Sequence, residues 1–291
     1  MTNTPKSPDS HLLSPLHLSE QQNTRVSVSK TFQDLRSYSL LVRQLSRVEI
    51  RAEFRRSLLG LGWMVLVPLV AVLVWVLLNQ AGILNPGDTE VPYPAYVLLS
   101  TSVWGFFAEI YRACSRIQEK YGRLLLMTPF PIITLVAQAV VVHLIRFAIP
   151  LFLNVAVLWL FGVRFGLAAL LFPFALIPLL LLGTGIGLLV SPLRIVVADI
   201  SRMADEGIRL LMYLTPILYS PKLEIGILSD LVAMNPLTYL IGFPRDLLTN
   251  GTFFAPFYFG FFAVLSIVFF LIAFRIFQIT EPRIRERLIA N

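Results

Sequence analysis

The sequence predicts an all-α protein that crosses a lipid bilayer repeatedly, and three observations carry that reading. Between residues 57 and 291 one apolar run follows another, broken by short polar connectors. The runs are long enough to span, because a helix rises about 1.5 Å per residue and roughly 20 mostly apolar residues cross about 30 Å of hydrocarbon. None keeps the strict two-residue alternation of a membrane barrel, which leaves the helix as the structure that closes all its own backbone hydrogen bonds in lipid. Composition agrees: 56% of the 291 residues are hydrophobic and the mean hydropathy is +0.75, values that put lipid rather than water against the surface.

Taken in order, residues 1–30 are rich in Ser, Pro, Asn and Thr and lack the basic start and apolar core of a secretory signal, so they predict a disordered cytoplasmic tail. In residues 31–57 the pattern changes. Phe32, Leu35, Tyr38, Leu41, Leu45 and Val48 recur at three- and four-residue steps, while Arg36, Arg43, Gln44, Arg47 and Arg51 fill the opposite face. This is a basic amphipathic helix, either lying in the headgroup boundary before the first span or packed as a soluble helix on another domain. Residues 58–291 form one membrane domain of six predicted spans, at 58–80, 93–113, 138–161, 167–190, 204–219 and 252–277.

Orientation follows from the cations. They gather before the first span (Arg43, Arg47, Arg51, Arg55, Arg56), between the second and third (Arg116, Lys120, Arg123), between the fourth and fifth (Arg194, Arg202) and after the sixth (Arg283, Arg285, Arg287). The alternate connectors are poor in them: one has Asp88 and Glu90 with no cation, the next has Arg164, and the last balances Lys222 and Arg245 against Glu224, Asp230 and Asp246. The positive-inside rule then puts both termini in the cytoplasm. The net charge of +7 is used up in orienting the chain and meeting anionic headgroups, which argues against nucleic acid as a partner and for membrane lipids. The single cysteine, Cys114, permits neither an intrachain disulfide nor a cysteine metal cluster.

Within the spans a few residues need explaining. Arg146 lies about two turns inside the third span, where a cation costs roughly 2.5–3.5 kcal/mol unless it pairs, snorkels or meets water. Two readings stand: an ion pair with Glu109, which sits at a comparable depth in the second span, or snorkelling to the inner headgroups. His143 has no companion at metal-ligand spacing and reads as an interior histidine. Gly183 and Gly187 have the small-xxx-small spacing of close helix packing, and Pro173 and Pro178 predict a bend in the outer half of the fourth span. Residues 220–250 are too broken by proline and charge for a lipid-facing span. They predict two short helices, 225–234 and 237–248, separated at Asn235-Pro236, forming either a re-entrant hairpin from the outer face or an outer-surface loop.

The usual catalytic signatures are missing. There is no GxxxxGK[ST] loop, GxSxG elbow, HExxH helix or EF-hand loop. Asp199, Asp205 and Glu206 lack a histidine or glycine-rich partner and read as solvated connector charges. The expectation is a non-enzyme with no cofactor of its own.

One string is specific. Arg47-Val-Glu49-Ile-Arg51, then Phe54-Arg55-Arg56-Ser57, Gly60, Trp63 and Pro68, resembles the entry to the first span in permease subunits of ATP-binding-cassette polysaccharide exporters, the type-2 permeases of O-antigen, capsule or teichoic-acid export. It departs from that family's string in having Glu49 for the acid and Phe54 for a tyrosine. Pro129-Phe130-Pro131, Thr215-Pro216-Ile217 with Tyr219-Ser220-Pro221, and Asn235-Pro236-Leu237 followed by Arg245-Asp246 are similar in order and placement. After the fourth span the family's Arg-Asp is replaced by Ala198-Asp199, with Arg194 and Arg202 nearby. The resemblance implies a homodimer of this subunit in the bacterial inner membrane, carried by two cytoplasmic subunits that bind the ATP, and a polysaccharide, lipid-linked or growing, as cargo. It also implies ATPase docking through Arg116, Glu119, Lys120, Tyr121, Arg123 and Asp199, residues that otherwise read as plain positive-inside signal. Tyr96, Trp104, Phe107, Tyr111, Tyr213 and Tyr219 are the expected lining of a glycan passage, since sugar C–H faces stack on flat rings, or else an ordinary interfacial aromatic belt. Two other classes remain open at this point: an exporter of a small lipophilic drug or lipid, and a carrier or channel that works alone.

Overall fold

The computed structural model describes residues 28–55, 62–89, 91–127, 130–222, 226–249 and 255–290, and these are helical with short connections and no strand. Most of the predicted tail lies outside the described residues. The amphipathic segment forms two helices, α1 (Val28–Ser37) and α2 (Ser39–Arg55), broken at Tyr38. Both pack on the helix of the third apolar run, with Val42 and Ser46 buried and Leu40 and Val48 exposed. The segment therefore has a packed face and an apolar face left open.

Next come α3 (Gly62–Gln80), α4 (Tyr93–Ser115), α5 (Ile117–Met127) and α6 (Ile133–Leu160). Helix α6 begins five residues before the predicted start, because Ile133, Leu135 and Val136 continue its apolar face. The fourth predicted span is not one helix. A 3-10 turn (Leu167–Leu171), a short α7 (Phe172–Ala175) and α8 (Ile177–Val196) divide it, with Pro173 and Pro178 each in the first turn of its segment. A proline lacks the N–H an interior position needs but is tolerated in a first turn, so the two prolines turn the expected bend into breaks.

The fifth run is also displaced: α9 spans Ala198–Leu214, starting six residues before and stopping five residues before the predicted bounds. Its end is local chemistry, since Thr215 precedes Pro216 and adopts the extended conformation (φ −103°, ψ 136°) that a pre-proline residue prefers. Helices α10 (Gly226–Met234) and α11 (Pro236–Thr249) match the two short helices expected there. Asn235 makes the junction, its Oδ1 accepting the Leu237 N–H at 3.0 Å while Pro236 occupies the first helical position. The chain closes with α12 (Pro256–Ala290).

Among the described residues three stretches are long and apolar enough to cross a bilayer: Ile133–Leu160, Leu167–Val196 and Pro256–Glu281, with Val65–Gln80 a shorter apolar helix. The core is α4, flanked by α8, α6 and α3, with α12 on the other side of α8. Helices α4 and α6 run antiparallel: Phe106 meets Phe147 with ring centroids 4.7 Å apart, and further along Asn154 Nδ2 donates to Ser102 Oγ at 2.8 Å. Helices α4 and α8 run parallel in near backbone contact. A Cβ on Gly183 would lie 3.1 Å from the Phe107 carbonyl oxygen, and one on Gly187 would lie 2.7 Å from Cys114 Cβ and 2.8 Å from the Tyr111 carbonyl oxygen. Gly185 faces the other way, toward Phe269 and Phe270 of α12. The expected close packing of Gly183 and Gly187 is therefore present, and three small residues let α8 sit between two helices at once.

Gly187→Ala should push α4 and α8 apart and cost about 1–3 kcal/mol, the usual penalty of overpacking. Thermal unfolding in detergent measures it. Gly207→Ala, where an added Cβ meets nothing within 4 Å, is the control expected to unfold no earlier than the unmodified protein.

Candidate functional site

One end of the helix bundle collects α2, α5, the C-terminal ends of α4 and α8 and the N-terminal ends of α6 and α9. The centre of this charged end is Glu49 of α2. Its Oε1 pairs with Lys120 Nζ at 2.7 Å and with an Arg146 guanidinium nitrogen at 3.6 Å. Its Oε2 accepts from Gln138 Nε2 at 2.7 Å and from the Tyr121 hydroxyl at 2.9 Å. Four donors from two other helices thus meet one carboxylate of the amphipathic helix. Burial by itself would raise the Glu49 carboxyl, but the hydrogen bonds of Lys120, Gln138 and Tyr121 and the Lys120 charge outweigh it and hold it below its ordinary value. Burial and the neighbouring carboxylate push the Tyr121 hydroxyl up, so it stays a donor.

The structure corrects the ion pair expected between Arg146 and Glu109. Arg146 turns to Glu49, and Glu109 pairs with Arg112 one turn along its own helix. The reason is that α2 packs on α6 and brings a carboxylate closer than the facing span does.

A second junction lies on the other side of α4. Asp205 of α9 takes Arg194 Nη2 at 2.8 Å and the Tyr111 hydroxyl at 2.8 Å on Oδ1, with Arg116 at 3.9 Å from Oδ2. Arg194 Nη2 also donates to Ser115 Oγ at 3.2 Å. Asp205 is thus no free connector charge, as the sequence suggested, but the tie between α4, α8 and α9. Asp199 is exposed and meets Arg202 at 3.5 Å.

At the opposite end, Arg245 of α11 is buried with Asp246 beside it. Its Nη1 donates to the Tyr96 hydroxyl at 2.7 Å and to the Pro216 carbonyl at 3.3 Å, its Nε lies 3.3 Å from Asp246 Oδ1, and its guanidinium stacks 4.5 Å over the Tyr96 ring. The Tyr96 hydroxyl lies 3.0 Å from the Pro216 carbonyl and 2.8 Å from that of Tyr219, and the Tyr93 hydroxyl donates to the Leu218 carbonyl at 3.1 Å. Asn235 Nδ2 donates to the Leu214 carbonyl and the Thr215 hydroxyl. The Pro216, Leu218 and Tyr219 carbonyls of the non-helical segment after α9 are thus satisfied by side chains of α4 and α11, and Asn235 closes the end of α9.

This locates the predicted site residues. Arg116, Glu119 and Lys120 sit at or on α5 with exposed side chains, and Tyr121 is half-buried. Arg123 lies on α5. Lys120 and Tyr121 already serve Glu49 within the chain. The aromatic set does not share one passage. Tyr96 and Phe107 are packed between helices, Phe107 against Gly183, and Tyr213 is exposed on α9 with its carbonyl accepting from the Tyr219 hydroxyl at 3.1 Å. Trp104 and Tyr111 come together in a cavity of about 400 Å³ between α4 and α9, whose rim carries Arg112, Arg116, Arg202 and Arg209. Sequence reasoning missed Glu49, Gln138 and Arg245 as junction residues. The signal for Glu49 was the acid position of the 47–68 string, and for Arg245 the Arg-Asp pair after Asn235-Pro236.

The apolar helices and the charged end define a helical protein that crosses a membrane several times. No protein-family model matches the chain. It is similar to proteins named O-antigen export system permease protein RfbA: one from Klebsiella pneumoniae is 24% identical over 217 residues, 74% of this chain and 82% of the relative. A second from that organism is 23% identical over 216 residues, and one from Myxococcus xanthus is 25% identical over 210 residues, 72% of this chain and 80% of the relative. The resemblance to the permeases of polysaccharide exporters, read above from short motifs, thus extends over about three quarters of the chain.

Glu49→Ala should remove the shared acceptor and cost about 1.5–3 kcal/mol, the range for hydrogen bonds to a charged group. A carboxyl held low in the fold contributes fully above the ordinary carboxylate range and loses that contribution as pH falls through its depressed value. Melting temperature followed from pH 7 downward should show an acid limb that Glu49→Gln flattens.

Proposed function

We propose that this chain is the membrane permease subunit of an ATP-binding-cassette exporter that moves an O-antigen-type polysaccharide across the bacterial cytoplasmic membrane. The observation that carries the reading is the similarity over 72–74% of the chain to three permeases named for O-antigen export. Capsule or teichoic acid is the neighbouring cargo class. The chain itself does no chemistry and holds no cofactor: ATP is bound by a separate cytoplasmic subunit, two of which serve two copies of this permease.

In this reading α3, α4, α6, the unit of α7 with α8, α9 and α12 are the six passes, both termini lie in the cytoplasm, and α10 with α11 dips from the outer face as a re-entrant hairpin. The tail at 1–30, the interfacial segment at 31–57 and the membrane domain at 58–291 remain the organisation proposed. Closure of the ATPase pair pushes on α5 through Arg116, Glu119 and Arg123, and on the start of α9 at Asp199. Lys120 and Tyr121 hand that push to α2 through Glu49 and to α6 through Gln138. The Asp205 junction carries it into α4 and α8. Trp104, with Tyr111 beside it, offers a ring surface for sugar in the cavity against α9, and Tyr213 is the exposed ring further along that helix.

A strain lacking its O-antigen permease should recover surface glycan when given this chain with its cognate ATPase. Affinity purification from that strain should bring the ATPase along. Glu119→Lys with Arg123→Glu should weaken that co-purification about tenfold, the cost of reversing charges at a steered interface, while leaving the permease folded. Transport at full rate by the chain alone in vesicles would overturn the proposal.

A further inference from the structure

A cleft of about 470 Å³ lies between α3, α4 and α6, on the flank of α4 that faces away from α9. Its walls are apolar, made by Val67 and Pro68 on one side and Phe106 and Phe147 on the other, with Trp63 exposed at the mouth. It extends along each helix for about eight residues, from Glu109 back to Thr101 and from His143 to Pro150, which is about 12 Å of helix rise. That is most of the roughly 15 Å of hydrocarbon in one leaflet. A volume of several hundred Å³ with apolar walls and a few convergent polar groups is the ordinary form of a small-molecule site.

The charged groups are all at one end, the one beside the amphipathic helix α2. Glu109 and Arg146 both line it, with His143 on the same helix face as Arg146. Their charges are opposite. The Glu109 side chain is half exposed and its pair with Arg112 is an exposed one within a single helix, a kind of pair worth little in water. A carboxylate has about four acceptor sites and a guanidinium five donors, so both can serve a ligand while keeping the protein partners described above.

We propose that this cleft binds one membrane phospholipid whose head group carries both an ammonium and a phosphate, a phosphatidylethanolamine. The ammonium meets Glu109, the phosphate meets Arg146, and one acyl chain lies along Val67, Phe106 and Phe147. An anionic lipid such as phosphatidylglycerol supplies no cation for the carboxylate. The acyl chain also fills a real gap, because α3 buries little of its own surface: among the described residues of that helix Val72 is the buried one, while Val67, Val70 and Ala71 are exposed. A lipid in the cleft gives α3 the packing that protein atoms do not.

The experiment is lipid extraction and native mass spectrometry of the full chain purified in mild detergent from membranes containing phosphatidylethanolamine, phosphatidylglycerol and polyprenyl phosphate. The expected result is one phosphatidylethanolamine per chain, lost in two plugged variants. Gly105→Leu adds a side chain where a Cβ meets nothing within 4 Å, in space that borders both this cleft and the cavity against α9. Ala71→Phe fills it from α3 and decides the matter should the first variant fail to fold. Glu109→Gln should lower the preference for phosphatidylethanolamine over phosphatidylglycerol about tenfold, the loss of one charge-assisted hydrogen bond. Equal phosphatidylethanolamine on the unmodified and plugged proteins overturns the proposal, as does phosphatidylglycerol or polyprenyl phosphate retained in its place.

Discussion

The approach of α4 to α8 is the constraint around which the rest is arranged. Where Gly183 and Gly187 face Phe107, Tyr111 and Cys114, the two backbones are separated by less than a side chain. Dispersion falls off so steeply with distance that this contact tolerates no added atom, and in lipid there is no hydrophobic drive to replace it. Because Gly185 offers the same freedom on the other face, α12 is held to the same helix. The remaining helices then have fixed places: α6 and α3 against the free flanks of α4, and α9 along its second polar face.

Charges are distributed over this scaffold in a way that lipid dictates. A charged group that cannot reach water has to be paired, and the acids and arginines drawn inward at the three junctions find partners on a different helix: Glu49 on α5 and α6, Asp205 on α4 and α8, Arg245 on α4. These ties are long in sequence, Tyr121 and Glu49 standing 72 positions apart, Tyr111 and Asp205 94, and Arg245 and Tyr96 149. They link elements that apolar packing by itself would let slide. Through such ties a displacement of one helix is passed to several.

Much of the fold was legible because its signals are local. The Asn235-Pro236 break, the glycine spacing in α8 and the prolines at 173 and 178 each act within one or two helical turns, so residue order alone reveals them. The run at 204–219 misled because its apolar window hid an amphipathic helix that begins at Ala198 and ends at the pre-proline Thr215. Lys120 and Tyr121 were named from resemblance as docking residues and Trp104 as a passage ring, and the structure gives the first two a different task within the chain, as partners of Glu49. What they touch was not legible, since Glu49 sits on a helix whose register against α6 no periodicity encodes. The same blindness offered Arg146 either Glu109 or the headgroups in place of Glu49, and it hid that the Tyr96 hydroxyl meets the Pro216 and Tyr219 carbonyls.

The two ends of the bundle differ in how water reaches their charges. The side chains of Lys120 and Arg116 are 51% and 54% exposed, whereas those of Arg245 and Asp246 are 5% and 6% exposed. Mobile ions screen the first kind of pair within a Debye length of about 8 Å and scarcely affect the second. Ionic strength therefore acts as a one-sided solvent on this molecule, softening the junctions around α2, α5 and α9 while the knot at Tyr96 keeps its shape.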